Sequence, residues 1–347
     1  MIDAPSIGAW RDLYAAAVEF KELACWNWMA DNDLFAVQDP VSGEFGYCCV
    51  MGALGESFAL SVYLGPVGLD GYVKMADADE IKSDADALEI LMTQRCVQAM
   101  FEDRDMLSKQ DLEMVKQLGL KFRGRNSWPM FRDFSPGYVP WYLPAGEAEF
   151  LTLCLHQTID VALKAKENPD YLCPEDHSLM LARIPHKDGE SWRWTEEWIS
   201  PVLPDPNLNT AMAPDEVTVK RLRSSLEQKP MTWEMDMRYS PFAVEEDRGD
   251  RPHYPLALMC VDRDSGFIFG VELISPKDRP KIAGALLKFF SGAKVLPTEL
   301  ALANDELLEM LGPEASALGI RVRKVKRLKT LGKVRASFEK ALRQGGL

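Results

Sequence analysis

Residues 121–143, "KFRGRNSWPMFRDFSPGYVPWYL", gather seven aromatic rings, three arginines and a lysine around three prolines. Guanidinium groups interleaved with flat rings stack on bases and grip phosphates, which points to a nucleotide or single-stranded nucleic acid as ligand. Arg123, Arg125 and Arg132 would bring the charge, and Trp128, Tyr138 and Trp141 the platforms. The same residues also suit a structural role. A long ordered loop needs a small core of its own, and arginines there bond to loop carbonyls or to acids such as Glu102 and Asp103. Pro129, Pro136 and Pro140 exclude a continuous helix, and Gly124 and Gly137 add further breaks, so this stretch is expected to hold no regular element.

A second constellation is acidic. Asp262 closes the apolar run "LALMCVD", Asp264 follows it, and Asp305 comes after "TELALAN". Carboxylates gathered at strand ends supply the oxygen ligands that Mg2+ or Mn2+ needs for phosphodiester hydrolysis. Each also has an ordinary use: Asp262 and Asp264 build a turn before Ser265 and Gly266, and Asp305 caps the helix "ELLEML". A third constellation is basic. "IRVRKVKRLKTLGKVR", residues 320–335, holds eight basic residues and no acidic one. Such a run contacts nucleic acid or an acidic partner, or it stops an edge strand from pairing with another sheet; the edge role is the one expected here. His156 sits in an apolar helix, and Cys173, His177 and His186 lack the fourth ligand and the spacing of a zinc module. No phosphate loop, dinucleotide fingerprint or nucleophile elbow is present, so no cofactor is expected beyond Mg2+ or Mn2+ on the acidic trio.

Periodicity supplies the elements that must position these groups. Residues 6–24 repeat apolar positions at intervals of three and four, with Ser6 as a cap. "LFAVQ", "FGYCCVMG" and "SFALSVYLG" are strand-like and joined by short Asp/Pro/Gly/Ser connectors, which implies an antiparallel meander. The acidic stretch from Asp77 to Glu89 leads into a helix expected to carry Leu88, Leu91, Val97 and Met100. Ser108 and Asp111 form a capping box before a helix that stops at Gly119. "GEAEFLTLCLHQTIDVALKAKENP" is apolar on most sides and predicts a buried helix. Periodicity disappears over residues 200–215, where the domain junction falls, giving an N-terminal domain over 1–204 and a C-terminal one over 216–347. A short helix begins near Asp215, and "TWEMDMR" then alternates as a half-buried strand. The remainder reads strand, strand, helix, strand, helix, strand, helix, a mixed sheet flanked by helices. The fold class is therefore α+β.

At 347 residues the chain exceeds the size of a single core, and an apolar share of 47% argues against wholesale disorder. A net charge of −13 disfavours general affinity for nucleic acid or anionic membrane and leaves room only for a local basic patch. Seven cysteines, most in apolar runs, fit buried thiols in a reducing compartment. With no secretory leader and no apolar stretch of about 18 residues, a cytoplasmic protein that avoids membranes is expected.

Over nearly the whole chain the sequence resembles a bacterial family of two consecutive domains of unknown function. The resemblance rests on "WNWMADNDLFAVQDPVSGEFGYCCVMGALGESFALSVYLGPVGL", "FEDRDMLSKQDLEMVKQLGLKFRGRNSWPMFRDFSPGYVPWYLPAGEAEFL" and "RPHYPLALMCVDRDSGFIFGVELI". It implies two domains and no particular activity. The order of elements after Leu256 is similar to an RNase H-type fold, whose enzymes hold two metals with carboxylates on the first strand, at the end of the fourth, and on helices. That likeness implies Asp262 as the first-strand acid and Asp305 as the fourth-strand one. The chain departs from the pattern in lacking a third strand of the opening meander after "FIFGVELI", unless "TWEMDMR" substitutes, and in having no carboxylate in the apolar part of the first helix. Two readings follow: a non-catalytic binding protein that engages a protein or nucleic-acid partner through residues 121–143 and 320–335, or a metal-dependent phosphodiesterase built on Asp262 and Asp305.

Overall fold

The computed structural model of the chain describes residues 3–77, 84–189, 191–204 and 216–343. It divides into two compact units, 1–204 and 205–347. Of the expected junction at 200–215, residues 205–215 lie outside the described residues.

In the first unit Ser6 accepts from the Ala9 amide and starts helix α1 (Ile7–Leu23). Strands β1 (Phe35–Gln38), β2 (Phe45–Met51) and β3 (Phe58–Leu64) form the expected meander. Its first turn is closed by Asp39, which accepts from the Val41 amide and the Ser42 hydroxyl, while Gly43 takes the φ of +74° that the turn requires. Helices α2 (Gly65–Ala76) and α3 (Asp84–Met92) follow. The helix expected to run on through Val97 and Met100 ends instead at Met92. Cys96–Glu102 is strand β4, because its alternating Val97, Ala99 and Phe101 pack in the core and its backbone pairs with β3.

The capping box at Ser108 and Asp111 opens α4 (Lys109–Gln117), and Gly119 stops it at φ +72°. Residues 128–134, expected to hold no regular element, form strand β5 (Trp128–Phe134). Proline is accommodated there because β5 pairs only with β4 and is an edge of the sheet. Helix α5 (Ala145–Glu167) crosses over to β6 (Met180–Asp188), which pairs parallel to β1 and antiparallel to β7 (Ser191–Ile199). The seven strands run β5-β4-β3-β2-β1-β6-β7.

Alternation along the strands divides two cores. Phe35, Cys48, Val50, Leu60 and Val62 pack with Leu13 and Phe20 of α1 and with Leu151 and Leu155 of α5. Tyr47, Cys49, Tyr63 and Cys96 pack with Leu69 of α2 on the other face. Adjacent Cys48 and Cys49 thus point to opposite faces, and six of the seven cysteines are buried thiols.

The second unit begins with α6 (Glu216–Ser225) and the long strand β8 (Glu227–Tyr239). Then come β9 (Leu256–Asp262), β10 (Ile268–Ile274), α7 (Ile282–Ala293), β11 (Val295–Leu302), α8 (Asp305–Ala317), β12 (Arg321–Lys324) and α9 (Lys329–Arg343). The sheet order is β10-β9-β8-β11-β12, with antiparallel pairs on one side of β8 and parallel pairs on the other. "TWEMDMR" therefore lies in the first strand of a three-strand meander, the element whose absence set the chain apart from the RNase H-type order. It is not half-buried as expected. Trp233 packs against Phe269 and Phe290 on one face, at ring separations of 4.0 and 5.2 Å, and Glu234, only 3% exposed, lies on the other.

Both units are thus α+β, and among the described residues no helix is long and apolar enough to cross a membrane. Buried Glu314 of α8 carries an Oε2 with no hydrogen-bond partner among the described residues, and burial pushes its pKa up. A group whose native pKa is raised supports the fold below its unfolded value, about 4.3, and loses that contribution as pH rises through the native one. Glu314→Gln is accordingly expected to raise the melting temperature at pH 7, with the gain shrinking as the pH falls towards about 4. Thermal unfolding of the two proteins across that range checks it.

Candidate functional site

Segment 121–143 contains a buried ion pair. Arg132 of β5 donates Nη1 and Nη2 to the two Asp111 oxygens at 2.9 and 2.6 Å, with both side chains about nine-tenths buried. Ser108 also donates to Asp111, Tyr142 donates to Ser108 Oγ at 2.9 Å, and the Arg132 guanidinium lies 5.1 Å from the Tyr142 ring. Burial pushes the Asp111 pKa up, and hydrogen bonds from Arg132 and Ser108 outweigh this and hold it below the usual carboxylate value. Asp111 thus closes the helix cap and neutralises the arginine at once.

The six expected binding residues do not form one platform. Arg132 is spent on Asp111. Trp141 exchanges backbone hydrogen bonds with Asp133, and the Tyr138 amide closes a turn on Ser135. Arg123 is exposed, and Arg125, 91% exposed, stands 3.7 Å from Asp103. Trp128 is half-buried against Phe122 and faces a different group of residues, with the Arg104 guanidinium 5.7 Å from its ring.

That group forms a groove of about 500 Å3 between α4, the 119–121 turn and the start of β5. Arg104, Lys109, Lys116 and Lys121 line it with Trp128, and Glu113 is the one carboxylate in the lining. Its floor is Leu112, Val115 and Leu120. Of these residues only Trp128 was expected at a site. The others were legible in principle, because Lys109 and Lys116 are seven residues apart, two turns along one helix face.

The acidic trio is dispersed. Asp262 ends the second strand of the meander, not the first, and accepts from the Ser265 amide and hydroxyl at 2.8 and 2.7 Å, the turn role. Asp264 is exposed in that turn. Asn304, not Asp305, caps α8, and Asp305 forms an ion pair with Lys324. Asp262 lies two strands from β11, about 10 Å across the sheet, and its strand runs opposite to the one that leads into Asp305.

The carboxylates that do face the sheet interior are otherwise engaged. Glu234 accepts the Thr330 and Leu331 amides at the start of α9, at 3.1 and 2.9 Å. Arg335 and Arg238 reach Asp236. Burial pushes the Glu299 pKa up, and hydrogen bonds from Arg323 and Arg321 bring it below its ordinary value. Among the described residues no three His, Cys, Asp or Glu side chains converge to hold a metal ion. Residues 320–335 comprise the edge strand β12 and the start of α9, with Arg321 and Arg323 turned to Glu299.

The family model described as Domain of unknown function (DUF7309) matches residues 10–183, and that described as Domain of unknown function (DUF6930) matches residues 218–339. The first covers half of the chain, which belongs to that family, and each match falls inside one compact unit. No curated protein matches the chain.

Removing Arg132 leaves a buried carboxylate without its counter-ion, a loss of roughly 3 kcal/mol or more. Arg132→Ala is expected to lower the melting temperature by roughly 6 °C or more, whereas Arg123→Ala with Arg125→Ala leaves it within about 1 °C. Because the native Asp111 pKa is depressed, its contribution is present above the unfolded value of about 3.9 and is lost as the pH falls through the native one. Melting scans of the three proteins at pH 7, repeated for the unsubstituted protein down to pH 3, read both effects.

Proposed function

We propose that the protein is a non-catalytic binding protein that takes a single-stranded polyanion, nucleic acid in chemical class, in the groove beside Trp128. The observation that carries this reading is the groove's lining: four cations to one carboxylate in a chain of net charge −13, around a ring with a guanidinium 5.7 Å from its centre. Phosphates neutralise lysines and release counter-ions, and a base extends the stack on the indole. The surrounding negative charge does not prevent this, since exposed charges beyond about 8 Å are largely screened at physiological ionic strength. Exposed Arg123 and Arg125 belong to the same 121–128 segment and extend the basic surface. Binding rather than phosphodiester cleavage is favoured because the sheet carboxylates of the second unit are committed to arginines and to the α9 amides.

Anisotropy of a labelled oligothymidylate with the full chain tests the reading. Affinity should fall steeply as salt rises from about 50 to 200 mM. Lys116→Glu with Lys121→Glu should weaken binding at least about tenfold, and Arg123→Ala with Arg125→Ala by a smaller factor, both with an unchanged melting temperature. Affinity that ignores salt and both pairs of substitutions would refute the assignment.

A further inference from the structure

Helices α1 and α4 both line a cavity of about 190 Å3 that shares no lining residue with the basic groove. Trp10 and Tyr14 are four residues apart on α1, and Asp111 and Met114 three apart on α4, so each pair lies on one helix face. Tyr142 and Leu143 join them from the chain after β5. A cavity of about 150 Å3 holds a benzene ring, so this one takes a single ring with a short substituent.

The walls are chiefly aromatic and apolar, and the buried polar groups among them are engaged with one exception. Asp111 accepts from Arg132 and Ser108, and the Tyr142 hydroxyl donates to Ser108. Gln110, also in the lining, is exposed. Tyr14 is the exception. It is 2% exposed, and its ring stands edge-on to Phe131 at 4.9 Å, yet its hydroxyl makes no hydrogen bond to any described residue. Buried hydroxyls are nearly always partnered, and this one belongs to a residue that lines the cavity. Burial, and after it the Asp111 charge, push the Tyr14 pKa up, so the phenol keeps its proton and serves as a donor.

We propose that this cavity binds a neutral, one-ring aromatic molecule bearing a carbonyl group. The ring packs on Trp10, Tyr142 and Met114, and the carbonyl oxygen accepts from the Tyr14 hydroxyl. The aromatic body follows from the walls and the acceptor from the one spare donor. Neutrality follows from the ion pair beside the cavity. Asp111 and Arg132 cancel each other, so a charged ligand gives up its hydration without gaining a counter-ion. The site stands or falls separately from the groove, with which it has no lining residue in common.

Ligand-observed NMR titration of the full chain with three one-ring probes tests the proposal: benzamide, toluene and benzoate. Benzamide should bind at least about fivefold more tightly than toluene, which offers no acceptor, and at least about tenfold more tightly than benzoate. Tyr14→Phe keeps the ring packing and removes the hydroxyl. It should weaken benzamide about fivefold and leave toluene unchanged. Its melting temperature should be level with that of the unsubstituted protein or slightly higher, because the lost hydroxyl bonds nothing within the chain. Absence of benzamide binding, equal affinity for benzamide and either other probe, undiminished benzamide affinity in Tyr14→Phe, or a lower melting temperature of that variant would each overturn the proposal.

Discussion

The Asp111–Arg132 ion pair is the constraint on which the first unit's surface chemistry depends. Edge strand β5 pairs with β4 along its whole length in spite of Pro129, but the chain beyond it carries Pro136 and Pro140, which have no backbone donor to hold it. One bidentate contact adds to that ladder. It ties edge strand β5 to the cap of α4, and through Ser108 and Tyr142 it ties in the chain that follows. Both partners are about nine-tenths buried, so losing either leaves a largely desolvated charge without its counter-ion. The basic groove exists because α4 and Trp128 are fixed relative to each other at this point.

Buried charge is paired elsewhere too, Glu314 Oε2 being an exception. In the second unit Glu234, Asp236 and Glu299 lie on one face of the sheet, and arginines or helix amides meet each of them. The opposite face of β8 is a stack of aromatic and methionine side chains. In the first unit Arg104, Lys109, Lys116 and Lys121 gather around Trp128, a local positive patch on a protein of net charge −13.

Much of the architecture was legible from local rules. Ser6, the Ser108–Asp111 box, Gly119 and the alternation of "FGYCCVMG" each act within a few residues, so the sequence contains their full cause. Position in the sheet did not follow from local rules. Cys96–Glu102 lies close behind a helix and was read as its continuation, because only its two strand neighbours reveal that Val97 and Phe101 alternate into a core. Trp128–Phe134 reads as irregular because its prolines exclude a continuous helix, and nothing local shows that it is an edge strand. Glu234 looked solvated because the alternation of "TWEMDMR" does not disclose that α9 covers the second face. The candidate sites were harder still. Arg132 and Arg123 are the same residue type ten positions apart, and only the fold assigns one to a buried partner and the other to the surface. The lysines of α4 come together with Lys121 and Trp128 through tertiary packing that no motif records.

Amide hydrogen exchange of the full chain, with and without a saturating oligothymidylate, tests the central claim most directly. The account predicts slower exchange confined to residues 104–128, the stretch that the Asp111–Arg132 pair holds around the groove. Slowing centred on residues 320–335, or no difference at any saturation, would contradict it.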